Sequence, residues 1–237
     1  MTTSQATLVT APGMCSYAEV LAVCVVHAII PDVGGRQDET AIDKRPVAGP
    51  VDVHRLGVSG DTQCDKAHHG REGKAVYAYA QEDADWWAAE LERDLPPGRF
   101  GENLRTRGLD VTNALLGERW RIGTTLLEVT GPRTPCLSFQ GFWGVPRLIK
   151  RFIAYGAPGA YLRVLEEGQL RAGDRIEVDF RPDHDVTLGL ALRALTVERR
   201  LIRRLAPALY ALPDRDRPKV ARLIEGAALA EGAPQRV

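Results

Sequence analysis

Apolar positions come in short β-branched runs separated by turn residues: LAVCVVHAI (21–29), PVDVHRLGV (50–58), KAVYAYA (74–80), RWRIGTTLLEVT (119–130) and DRIEVDF (174–180). Runs of this length, bounded by Gly34-Gly35, Pro96-Pro97-Gly98, Gly117, Gly123 and Gly131-Pro132, predict strands joined by tight turns. GERWRIGTTLLEV reads as two strands folded across Gly123, and LRAGDRIEV repeats the theme of a turn followed by alternating apolar residues. The expected fold class is mixed α+β and β-rich, a barrel or sandwich rather than a doubly wound sheet.

Three segments inside this region read as helices. In EDADWWAAELERDL (82–95), Trp87, Leu91 and Leu95 form an i, i+4, i+8 stripe, and the first turn is acidic. VPRLIKRFIAYG (145–156) is the second and PGAYLRVLEEG (158–168) the third. Beyond Asp183, DVTLGLALRAL, TVERRLIRRLAPALYAL and DRDRPKVARLIEG predict three further short helices, with Thr196 and Asp214 as N-caps. On the middle one, Val197, Leu201, Leu205 and Leu209 share a face with Ile202 alongside. Arg199, Arg200, Arg203 and Arg204 lie opposite, and Pro207 kinks the helix or ends it early. That basic face is either a solvated surface or a dock for an acidic partner. The expected organisation is a frayed tail over 1–18, a main domain over 19–182, and a helical segment with tail over 183–237.

Composition narrows the function classes. At 237 residues the prior is one large domain, which needs no disulfide or metal staple. The 31 basic and 31 acidic side chains cancel, which argues against a nucleic-acid polymer as partner. No run approaches the roughly 18 apolar residues of a membrane helix, and no cationic region precedes the first apolar run. The expectation is a cytoplasmic protein with no membrane partner. Cys15, Cys24, Cys64 and Cys136 contain no CxxC pair, so zinc ribbons and iron–sulfur clusters are poorly supported. Cys24 reads as a buried small hydrophobe, Cys15 as part of the tail and Cys64 as part of a polar turn.

Three loops carry candidate chemistry. GVSGDTQCDKAHHGREGKAV holds His68 and His69, whose adjacency sends them to opposite faces of an extended segment, so zinc binding by both is disfavoured. PPGRFGENLRTRGLD sets Glu102 and Asn103 on a glycine-rich turn, either a strand entry or a pocket wall. In GPRTPCLSF, two prolines bracket Arg133 and Thr134, with Cys136 directly after the second, in a rigid loop. A thiol three residues from a guanidinium favours thiolate, which suits a soft or high-valent metal, while the arginine suits an oxyanion.

The runs TAIDKRPVAGPVDVHRLGVSGDTQCDKAHHG, KAVYAYA, PPGRFGENLRTRGLD, IGTTLLEVTGPRTPC and GAYLRVLEEGQLRAGDRIEV together closely resemble the MOSC domain, found at the C-terminus of molybdenum-cofactor sulfurases. The resemblance covers about residues 20–182. The C-terminal helices are similar to the three-helix extension of stand-alone bacterial MOSC proteins associated with resistance to 6-hydroxylaminopurine. The resemblance implies a β-barrel-like core with a helical appendage, and molybdenum cofactor (molybdopterin) as cofactor. It places the family's cysteine on Cys136, as molybdenum ligand or sulfur carrier, and the arginine of its PR-x-PC loop on Arg133, beside Thr134. Asn103 matches FGEN, His69 and Gly70 match HGG, and Lys44 with Arg45 match a basic pair near the pterin phosphate. Arg71 stands where the second glycine of HGG is expected.

The implied activity is reduction of N-hydroxylated compounds to amines, with His69 or Glu102 delivering protons. Its electrons would come from a separate flavin- or ferredoxin-type reductase, since the chain shows neither a GxGxxG after a strand nor a cluster-binding cysteine set. Two other readings stay open: a sulfur carrier with a Cys136 persulfide, fed by a pyridoxal-phosphate desulfurase, and a small-molecule-binding protein in which Cys136 is structural.

Overall fold

A computed structural model describes residues 17–35, 37–65 and 71–232. Among the described residues, eleven strands and five α-helices follow in chain order. The strands are β1 (Glu19–Pro31), β2 (Glu39–Val47), β3 (Val51–His54), β4 (Gly57–Val58), β5 (Val76–Ala80), β6 (Leu104–Arg107), β7 (Arg119–Ile122), β8 (Thr125–Pro132), β9 (Ala160–Glu166), β10 (Gly168–Leu170) and β11 (Ile176–Phe180). The helices are α1 (Gln81–Leu91), α2 (Leu137–Trp143), α3 (Leu148–Tyr155), α4 (Leu188–Thr196) and α5 (Arg217–Gly232). A 3₁₀ turn spans Glu72–Lys74 and a 3₁₀ helix spans Arg199–Ala208.

The main sheet has eight strands in the order β11-β7-β8-β9-β5-β6-β1-β2, and β10-β3-β4 form a second, smaller sheet. Every pairing in the main sheet is antiparallel except β5 with β6, which α1 connects. The sheet curls until the edge strand β11 meets the start of β1, the strand next to the other edge. Val20 N–H donates to the Asp174 carbonyl at 2.9 Å, and Ile176 N–H donates to the Ala18 carbonyl at 2.8 Å. Bonding the entry of β1 to the entry of β11 satisfies backbone groups that an open edge would expose, so the sheet is barrel-like at that end. The interior is filled by Val23, Leu104, Trp120, Ile122, Leu127, Leu162 and their neighbours, all buried.

The expected hairpin across Gly123 is present, Ile122 facing Thr125. Residues 158–168 correct the sequence reading: they hold strand β9 (Ala160–Glu166), in mid-sheet between β8 and β5, not a helix. Its first residues, Ala160 to Leu162, are buried in succession, so the period-two alternation that marks a half-buried strand is lost. Gly159 leads into it at φ 69°, where a Cβ would lie 2.5 Å from the Ala78 carbonyl oxygen. Helix α2 was not anticipated in the loop after Pro135.

The C-terminal helices share the barrel's apolar core rather than making their own, through Leu188, Ala191, Ile202, Leu205 and Val220. Thr196 is not an N-cap: it closes α4, its hydroxyl donating to the Leu192 carbonyl at 2.6 Å, while Thr187 caps that helix by accepting from Leu190 N–H. Helix α5 starts at Arg217, later than a cap at Asp214 would place it. The middle segment is 3₁₀, so Ile202, Leu205, Ala208 and Ala211 are buried at three-residue spacing, whereas Val197 is 64% exposed. Pro207 supplies no N–H for an α-helical bond, which favours the tighter winding. Among the described residues no helix is long and apolar enough to cross a membrane.

Candidate functional site

A second, aromatic cluster lies where α1, α2 and α3 cover the sheet. Trp87, Phe100, Phe139, Trp143 and Phe152 are buried there with Tyr77, Tyr79 and Tyr161. Beside it opens a cleft of about 480 Å³, with the loop after β8 on one side and the β1–β2 loop on the other.

Arg133 follows the last residue of β8 and is 6% exposed. Its guanidinium lies 4.2 Å from the Phe139 ring centroid and 5.2 Å from that of Tyr77, and it donates to the Phe100 carbonyl. Burial works against its charge, but Tyr77, Tyr161 and Cys136 around it hold its pKa above the ordinary value. It forms no ion pair with a described residue. A buried charge without a counter-charge is costly, and an anion in the cleft would remove that cost.

Cys136 is the N-cap residue of α2, partly exposed to the cleft. The helix is clamped from outside. Ser138 Oγ donates to Asp32 Oδ2 at 2.8 Å, and a Cβ on Gly141 would lie 1.6 Å from the Val33 carbonyl oxygen. The β1–β2 loop therefore sets the position of the turn that carries the thiol. The other described thiols differ. Burial, then Glu102, push Cys24 up to about 12, while Cys64 lines the same cleft as Cys136. The Cys64 thiol is raised first by burial, then by Glu39 and Asp32.

Of the residues singled out from the sequence, Lys44, Asn103, Arg133, Thr134 and Cys136 line the cleft together. Lys44 reaches Asp61 at 2.6 Å, with both side chains buried. Asn103 is committed to the scaffold: its amide donates to the Cys24 carbonyl and to Asp61 and accepts from Tyr77 N–H, stitching β1 to β5.

Three expectations are corrected. Arg45 does not pair with Lys44: successive residues of β2 face opposite ways, and the Arg45 side chain is 59% exposed beside Asp43. Arg71 is exposed outside the cleft in extended backbone, φ −114°, a conformation that requires no glycine. Glu102 is fully buried away from the cleft. It accepts from Gly98 N–H at 2.8 Å, from Phe100 N–H at 2.9 Å, and from Arg105 at 2.5 and 2.9 Å. A carboxylate holding four donors braces the 98–102 turn. His68, His69 and Gly70 lie outside the described residues.

A family model described as the MOSC domain matches residues 65–177, which bracket the cleft's Arg133 and Cys136. YflK of Bacillus subtilis (strain 168) is 35% identical over 159 residues, covering 67% of this chain and 72% of that protein. The chain belongs to the MOSC domain family. A protein called "Reductase" from Gibberella moniliformis is 37% identical to this MOSC chain over 152 residues, though the match spans only 27% of the fungal protein. The crystal structure of YiiM from Geobacillus stearothermophilus superposes with a TM-score of 0.73 at 27% identity, covering 87% of this chain and 99% of that one.

Sequence reasoning missed Lys74, Tyr77, Tyr161 and Asp32 as cleft residues, and Asp61 as the ion-pair partner of the cleft's Lys44. Lys74 and Tyr77 sat in a run read only as a strand, and Tyr161 in the supposed helix. Asp61 was visible in the glycine-rich loop, but only folding brings it to Lys44 from 17 positions away.

Proposed function

We propose that this MOSC protein binds molybdenum cofactor in the cleft and reduces N-hydroxylated compounds, such as hydroxylaminopurine-like bases, amidoximes and hydroxylamines, to amines. One observation carries the reading: the Cys136 thiol faces the same cleft as a buried guanidinium, Arg133, that has no ion-pair partner among the described residues. A soft sulfur ligand beside an uncompensated cation suits a metal carried on an anionic organic group. The reductase name of the fungal relative points to the same reaction class.

When bound, the cofactor supplies a reduced metal able to accept an oxygen atom. Cys136 would hold the metal as thiolate, on a turn kept in place by Ser138, Gly141 and the β1–β2 loop. Arg133 would offset the cofactor's charge, its guanidinium held near the Phe139 and Tyr77 rings. Proton delivery falls to groups at the cleft, since Glu102 is sequestered. Tyr161 lies at the cleft wall, its hydroxyl raised to about 12 chiefly by burial, and so stays protonated at neutral pH. Electrons would come from a separate flavin- or ferredoxin-type reductase docking on the exposed Arg199–Arg204 surface. Part of that charge is already offset, by Glu198 on Arg200 and by Asp185 on Arg204.

The test is expression in a host that makes the cofactor, with metal and pterin content measured for wild type and Cys136→Ser. Near-stoichiometric molybdenum, lost in the variant, supports the proposal, and amine formation from an amidoxime supports the substrate class. Wild type without metal or pterin overturns it. The second cleft thiol, Cys64, gives the sulfur-carrier reading its one specific support, and a persulfide on metal-free Cys136 would favour that reading.

A further inference from the structure

Outside the residues matched by the family model, the C-terminal segment reaches the cleft wall. Lys74 lies on the 3₁₀ turn just before β5 and lines the cleft. Its ammonium sits 5.6 Å from the Tyr161 ring centroid and pairs with Asp216 at 2.9 Å. Asp216 belongs to the turn that starts α5, accepting from Val220 N–H and donating its own N–H to the Pro213 carbonyl. The turn carrying Lys74 is fixed on both sides. A Cβ on Gly73 would lie 2.6 Å from Pro213 Cβ, and the Gly73 carbonyl accepts from Thr130 Oγ1 at 2.6 Å. Thr130 is on β8, three residues before Arg133. Tyr77 and Tyr161 face each other across β5 and β9 between the two cations. Lys74 and Arg133 therefore line the same cleft on either side of the Tyr77–Tyr161 pair, Arg133 carried by the barrel and Lys74 paired with the C-terminal segment.

We infer that Lys74 and Arg133 form an oxyanion-binding wall, suited to a phosphate monoester, and that Asp216 is the positioning residue that keeps the Lys74 ammonium in it. The Lys74 side chain is 25% exposed and Asp216 is 42% exposed, so the pair is accessible enough for an anion to join it without breaking it. An ammonium has three protons: one serves Asp216 and the others are available to a ligand. The C-terminal helices thus act as part of the binding site rather than as an appendage. Taking the monoester to be the phosphate of the cofactor rests on the function proposed above; the anion site itself does not.

The test uses the full chain, free of metal, with inorganic phosphate and phenyl phosphate titrated by calorimetry at low salt. Wild type binds both. Lys74→Gln weakens binding roughly tenfold or more, as expected for losing a charged hydrogen bond. Asp216→Asn separates positioning from field. Deleting a negative charge near an anion site would by itself tighten binding, whereas loss of positioning weakens it, here by about two- to fivefold. The double variant Lys74→Asp with Asp216→Lys preserves the ion pair and the unfolding temperature but moves the cation off the wall, and binds no better than Lys74→Gln. Tighter or unchanged binding in Asp216→Asn, or retained binding in the double variant, overturns the assignment, as does a wild type that binds neither anion. Phosphate binding that behaves as described in a protein that never loads molybdenum would leave this inference standing and sink the proposed function instead.

Discussion

Glu102 is where a catalytic and a structural role predict different numbers. Glu102→Gln keeps the shape of the side chain and removes its charge. The carboxylate and its Arg105 partner are both fully buried, and the four donors on Glu102 come from Gly98, Phe100 and Arg105. A glutamine offers one oxygen and one NH₂, so the NH₂ must face a former donor and leave it orphaned. Arg105 keeps the Gln81 side chain and the Leu95 and Pro96 carbonyls as acceptors, which softens its loss. Breaking one side of a buried pair costs about 3–5 kcal/mol, and the remaining acceptors place this one near the low end. For a chain of this size that is a fall of roughly 6–12 °C in unfolding midpoint. Thermal unfolding followed by circular dichroism reads it directly. A midpoint within about 2 °C of wild type, combined with loss of amine formation per metal-loaded molecule, would refute the brace and restore Glu102 as a proton donor.

Other outcomes follow from the packing around the cleft. Gly141→Ala puts a methyl against the Val33 carbonyl and should cost about 1–3 kcal/mol, shifting α2 enough to change the alkylation rate of Cys136 by iodoacetamide. An unchanged midpoint and rate would mean that the β1–β2 loop does not position that thiol. Asp83 is raised to about 6, first by burial and then by Glu82 and Asp110, against the Tyr155 hydroxyl bond at 2.9 Å that lowers it. A carboxyl raised on folding contributes stability in full below its unfolded pKa and loses it as pH rises through about 6. Asp83→Asn should therefore stabilise the protein by about 1–3 kcal/mol at pH 8 and hardly at all at pH 4; an equal effect at both, by urea denaturation, would contradict the assignment. Restoring an α-helical register by Pro207→Ala should leave Ile202, Leu205 and Ala208 competing for the core, so no gain in midpoint is expected despite the better helix propensity.

The sequence alone determined the strands whose neighbours are turn residues, because glycine and proline punctuation and β-branched alternation are local properties. RWRIGTTLLEVT and DRIEVDF are such cases, and so is the Trp87 face of α1. It also marked the loop of Arg133 and Cys136, because prolines and chemically distinctive side chains need no partner to be noticed. Folding decided the rest. Residues 160–166 became a strand whose first residues are covered on both faces by the sheet's surroundings, which no pattern within the segment records. Lys44 and Arg45 parted because a strand turns successive side chains to opposite faces, and only pairing with β1 says which face is inside. Glu102 became a brace of its turn when folding brought Arg105 and two backbone donors onto it. Lys74 lines the cleft while paired with Asp216, a residue 142 positions away in the chain. A cleft is built from long-range contacts, and side-chain roles within it depend on partners that sequence proximity does not reveal.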